Sequence, residues 1–136
     1  MVDLDKAIPM VIKVLNEQFS PYFIVLFGSY ANGNRTSESD LDIAFLSEKE
    51  SDSYTRFLTA QTLSEKIGVP VDLVDLQAAS TVLRAQIMST GKMIDVKDPL
   101  KKDKFHMYTY SQYARLNEER RPILERIAKE GKIFDR

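Results

Sequence analysis

LFGSYANGNRTSESDLDIAF, residues Leu26 to Phe45, joins two apolar segments through a polar stretch. Its first half completes the run Ile24-Val25-Leu26-Phe27, which stops abruptly at Gly28-Ser29. Its second half, Asp40-Leu41-Asp42-Ile43, alternates carboxylate and apolar side chains with the period of a strand. Leu41 and Ile43 can therefore enter a core while Asp40 and Asp42 stand together on the opposite face. Two adjacent carboxylates repel unless a cation lies between them. All-oxygen ligands of this kind suit magnesium, which keeps several waters and takes further ligands from substrate phosphates. Gly28-Ser29 supplies what a phosphate needs: a glycine that admits close backbone approach, a hydroxyl, and N–H groups exposed where a helix begins near Tyr30. Carboxylates for a metal and a cradle for phosphate thus fall within one hairpin-sized segment.

Working outward, residues 3–19 place Leu4, Ile8, Val11, Leu15 and Phe19 at helical spacing, with Lys6, Lys13 and Glu17 on the wet side. Pro9 lies in the first two turns, where one lost N–H is tolerable. Residues 22–27 read as a buried strand, and 32–39 as a loop or short helix turned by Gly33 and Asn34. After the 40–46 strand, a helix is expected over about 52–67, with Phe57, Ala60, Leu63 and Ile67 on one face. Ser51 or Ser53 would cap its start and Gly68 its end. Residues 69–76 form a third strand with Pro70 at its beginning, and they bring two more carboxylates, Asp72 and Asp75. A helix over 77–89 closed by Gly91 and an edge strand over 92–96 follow. From about residue 99 the chain becomes charged, aromatic and helical in spacing. Phe105, Tyr113, Leu116, Ile123, Leu124 and Ile127 give it an apolar side, and Pro122 either kinks it or starts a second helix.

Composition narrows the class. A length of 136 residues suits one domain, residues 1–136, with a single core. Nineteen basic against twenty acidic residues leave no global field that would call for nucleic acid or an anionic membrane. The absence of cysteine excludes a disulfide frame, a thiol nucleophile and Cys-ligated zinc. The first twenty residues are amphipathic rather than signal-like and no run reaches membrane-spanning length, so a cytoplasmic protein is expected.

Gly28-Ser29, ten intervening residues and Asp40-x-Asp42 resemble the signature of the DNA polymerase β-like nucleotidyltransferase superfamily. GSYANGNRTSESDLDIAF resembles its minimal members, the MntA-type antitoxins paired with HEPN ribonuclease toxins. The pattern is specific because it holds two residue pairs at one spacing in a strand-turn-strand context. The resemblance implies an α/β (α+β) fold in which a small mixed β-sheet packs against helices. It implies that Gly28 and Ser29 bind the ATP phosphates and that Asp40, Asp42 and a third carboxylate hold two magnesium ions. Asp72 and Asp75 have opposite strand parity, so only one can face the site. Asp72 lies where the family's third carboxylate falls, and Val71 and Leu73 flank it as Leu41 and Ile43 flank Asp42. By resemblance Asp72 also takes the proton of the attacking hydroxyl, while Asp75 is expected to be a solvated strand-end acid. Arg35 is either a triphosphate contact or a solvated loop arginine, and His106 receives no catalytic role.

Three readings follow from the resemblance. The first is transfer of AMP from ATP to a tyrosine of a cognate HEPN toxin. The second is modification of a small molecule, as aminoglycoside nucleotidyltransferases do, and the third is a degenerate transferase that neutralises its toxin by binding alone. The short chain argues against enclosure of a small acceptor. A pure binder has no use for a repulsive acidic cluster. Protein AMP transfer is therefore the expectation, with the charged aromatic C-terminal segment as a candidate docking surface.

Overall fold

The computed structural model describes residues 3–33 and 39–134, with side chains as far as residue 129. Nine elements run in the order α1 (Leu4–Phe19), β1 (Phe23–Phe27), α2 (Ser29–Asn32), β2 (Leu41–Leu46), α3 (Ser53–Ile67), β3 (Val71–Asp75), α4 (Thr81–Thr90), β4 (Lys92–Val96) and α5 (Pro99–Phe134). The strands form one mixed sheet in the order β3-β2-β1-β4. β1 pairs antiparallel with both β2 and β4, whereas β2 and β3, joined through α3, run parallel.

The central strands are buried on both faces, which is why β1 reads as a continuous apolar run rather than an alternation. One face carries Ile24, Leu26, Ile43, Phe45 and Leu73 against α1 and α3. Val11 and Leu15 of α1 are fully buried there, and the Phe19 and Phe45 rings stack 4.6 Å apart. The other face carries Phe23, Val25, Ala44 and Leu46 against Ile87 and Met88 of α4, with Phe105 of α5 tilted on Phe23 at 5.8 Å. Gly91 is needed for closeness rather than for conformation: a Cβ there would overlap Val25 Cγ1 and the Ile87 carbonyl, and its φ is −77°.

Three details depart from expectation. α3 is capped by Asp52, whose carboxylate accepts from Thr55 N–H at 3.0 Å, and not by Ser51 or Ser53. Phe57 is 63% exposed while Thr59 and Leu63 are buried, because two successive three-residue steps from Leu63 drift about 120° round a helix. α4 begins at Thr81 with Ser80 as its cap, not at Gln77. Asp75 Oδ1 accepts from Gln77 N–H at 2.9 Å and the Asp75 carbonyl accepts from Ala78 N–H, which hold the chain in a turn. Of the two alternatives at Pro122 the second helix falls away, since α5 is a single helix through it. Phe105, Tyr113 and Leu116 are half-buried, whereas every side chain from 118 to 129 is exposed.

Asp75 itself is the larger correction. It points away from Asp72's face, as its parity requires, but it is 3% exposed rather than solvated. Its Oδ2 accepts from both the N–H and the hydroxyl of Ser51 at 2.6 Å, and Arg56 lies 3.7 Å away. It ties the start of α3 to the end of β3. Asp75→Asn should therefore destabilise the protein by about 1.5–3 kcal/mol, the range for losing hydrogen bonds to a charged acceptor. Urea melts will check this, with unchanged nucleotide affinity as the companion result.

Candidate active site

The β1–β2 ladder ends with Phe27 opposite Asp42, and the β2–β3 ladder places Asp42 opposite Asp72. Adjacent strands lie about 4.8 Å apart. Reading across the sheet from the end of β1 to its edge gives Phe27, Asp42 and Asp72 in a row, with Gly28 one residue past Phe27. Asp40 immediately precedes β2 and shares the parity of Asp42. The flanking residues obey the same register, Leu41 opposite Val71 and Ile43 opposite Leu73, and they bury the other side of both strands.

Gly28 holds φ +73° and ψ −154°, a region open essentially to glycine alone. A Cβ there would overlap Asp42 Oδ2, so the turn after β1 lies directly against the central carboxylate. Ser29 opens α2, one residue earlier than expected, and the Gly28 carbonyl accepts from Ala31 and Asn32 N–H at 3.1 Å each. Gly33 caps α2 in the left-handed conformation. Arg35 and Asn34 lie outside the described residues.

Asp40 and Asp72 are exposed and Asp42 is half-buried. Desolvation, then the charges of Asp72 and Asp40, push the Asp42 carboxyl up to about 6. Among the described residues no lysine or arginine forms an ion pair with any of the three. Nor is any group of three acidic or histidine side chains among them already gathered as a metal cage. The three carboxylates act on one another through their field, without closing round a point. Such a set of oxygen donors short of countercharge fits a hard divalent cation completed by substrate phosphates.

The raised Asp42 value has a definite sign in stability. Between about pH 4 and 6 the native protein holds a proton that the unfolded chain has lost, so this contribution is full below about pH 4 and is lost as pH rises through 6. In EDTA, Asp42→Asn should melt above the unsubstituted protein at pH 8, and the gap should narrow at pH 5. Paired thermal melts at the two pH values measure it.

Residues 10–100 match the family described as Polymerase beta, Nucleotidyltransferase. The chain belongs to this nucleotidyltransferase family. The nucleotidyltransferase is 37% identical to protein adenylyltransferase MntA of Shewanella oneidensis over 121 residues, which are 86% of its own length and 84% of the relative's. Its structure matches a chain of a toxin–antitoxin crystal structure with AMP-PNP at a TM-score of 0.82 and 35% identity, covering 89% of this chain and 98% of that one. It also matches a chain from the tri-AMPylated Shewanella oneidensis HEPN toxin in complex with MNT antitoxin, at a TM-score of 0.79 and 32% identity, covering 93% and 99%. Among its described residues no helix is long and apolar enough to cross a membrane. His106 of the nucleotidyltransferase packs its ring on Tyr110 at 4.7 Å within α5, a packing contact outside the acidic row.

Proposed function

We propose that this nucleotidyltransferase is a cytoplasmic antitoxin that transfers AMP from ATP to a tyrosine hydroxyl of a cognate HEPN ribonuclease toxin. The observation that carries the reading is Asp42 beside Asp72 across the sheet with Gly28 packed against Asp42, in a chain 37% identical to MntA over 86% of its length.

In this reading Gly28 and Ser29 hold the β and γ phosphates through backbone and hydroxyl. Asp40, Asp42 and Asp72 would hold two magnesium ions, which when bound supply the positive charge that three carboxylates and a triphosphate lack. Asp72 Oδ takes the proton from the tyrosine hydroxyl as the phenolic oxygen bonds to the α-phosphorus. The bond from that phosphorus to the bridging oxygen breaks and pyrophosphate leaves. The protein contributes position and electrostatics rather than covalent chemistry. Each AMP on the toxin adds a negative charge and a bulky nucleoside, which near a ribonuclease site excludes RNA by repulsion and by volume.

Intact-mass spectrometry of the toxin after incubation with antitoxin, ATP and magnesium should show increments of one AMP. EDTA, Ser29→Ala and Asp42→Asn should each remove them, and the modified toxin should stay inactive once the antitoxin is withdrawn. Inhibition without a mass change, matched by the Asp42→Asn protein, would replace this reading with a binding module. Modification of aminoglycosides in place of the toxin would replace it with a small-molecule transferase.

A further inference from the structure

We propose that the outer half of α5 is a self-association surface, on which a second copy of this chain packs its own α5 antiparallel. The inference does not depend on the function proposed above. Every side chain from 118 to 129 is exposed, yet α5 continues unbroken through Pro122. A proline inside a helix costs about 3 kcal/mol, and a helical stretch of this length is marginal in water without tertiary packing. Its apolar side chains nonetheless face water: Ile123 is 59% exposed, Leu124 54% and Ile127 57%. A stripe of this kind along a charged helix is what a partner helix covers.

The spacing identifies the partner. Tyr113, Leu116, Arg120, Ile123 and Ile127 recur at alternating intervals of three and four, the seam of a two-helix coiled coil. Pro122 and the ion pair Arg121–Glu125, at 3.1 Å, fall on the outer side of the helix. Two orientations of the pair are possible, and charge separates them. A parallel pair would stack Arg120 on Arg120 within the seam, and Glu119 would flank Leu124 with no charge to meet. In an antiparallel pair Leu116 meets Ile127 of the second copy and Arg120 meets Ile123, so the arginine stem packs on an apolar side chain while its guanidinium reaches water. Glu119 then flanks Arg126 of the second copy, and two-fold symmetry makes that pair twice. Glu119 also lies 3.8 Å from Arg115 of its own helix, an exposed pair that costs little to share. A segment that complements itself when reversed specifies a second copy of the same chain.

Sedimentation velocity of the full chain alone, over a series from micromolar to millimolar concentration, should show a reversible monomer–dimer equilibrium, weak because the seam is short. Ile123→Glu should keep the fold, because the side chain is already in water, and should remove the dimer. Glu119→Arg and Arg126→Glu should each weaken the dimer several-fold. The two together on one chain should restore it, because the pair forms again with its charges exchanged. A chain that stays monomeric throughout the series would overturn the proposal, and weaker binding of the HEPN toxin by Ile123→Glu would then make the toxin the occupant of the stripe. A dimer indifferent to Ile123→Glu would place self-association elsewhere and overturn the proposal equally. Loss of the dimer in Ile123→Glu without rescue by the charge exchange would retain the surface and overturn the antiparallel register.

Discussion

Asp72→Asn is expected to lower AMP transfer by about 10³-fold, within the 10²–10⁴ range that a positioned general base contributes, while melting with the unsubstituted protein. The amide cannot take the tyrosine proton and cannot balance cation charge. The fold should not register the change, because Asp72 is exposed and its side chain forms no ion pair among the described residues. The contrast lies three residues on, where Asp75→Asn should weaken the fold and spare nucleotide binding. Single-turnover transfer of labelled AMP to the toxin, set beside urea melts of the two variants, separates a chemical carboxylate from a structural one. Near-normal transfer by Asp72→Asn would remove Asp72 from the catalytic set.

Gly28→Ala should be nearly as damaging, by a different route. A left-handed φ with extended ψ costs a non-glycine residue about 1–3 kcal/mol, and the added methyl would overlap Asp42 Oδ2. The turn or the carboxylate must move, and either motion separates the phosphate cradle from the acidic row. Transfer should fall by about 10²-fold or more, in keeping with the cost of a small misplacement at a reacting centre. Calorimetry should show weakened binding of ATP with magnesium, and urea melts a loss of about 1–3 kcal/mol. ATP affinity equal to that of the unsubstituted protein would show that the Gly28 turn does not form the cradle.

The alternation around Asp42 and the stop at Gly28 were legible because both are local. Strand parity places Asp40 with Asp42 wherever the strand goes, and a glycine ending a buried run marks a turn. The same locality made the Val11 and Leu15 face of α1 readable, along with the parity that divides Asp72 from Asp75. The family resemblance selected Asp72, and its position beside Asp42 became visible only through the parallel register of β2 and β3, a set of hydrogen bonds between segments thirty residues apart. Asp75 was expected in water because nothing within a few residues of it signals that Ser51 and Arg56 fold back upon it. Gln77 looked helical until that carboxylate took its N–H. Phe57 lies at a three-residue spacing from Ala60 and Leu63 that reads as one face, although α3 turns it outward. Backbone period and chirality determine local pattern from sequence alone. Which carboxylate is solvated and which is bonded is decided by partners that only the folded chain assembles.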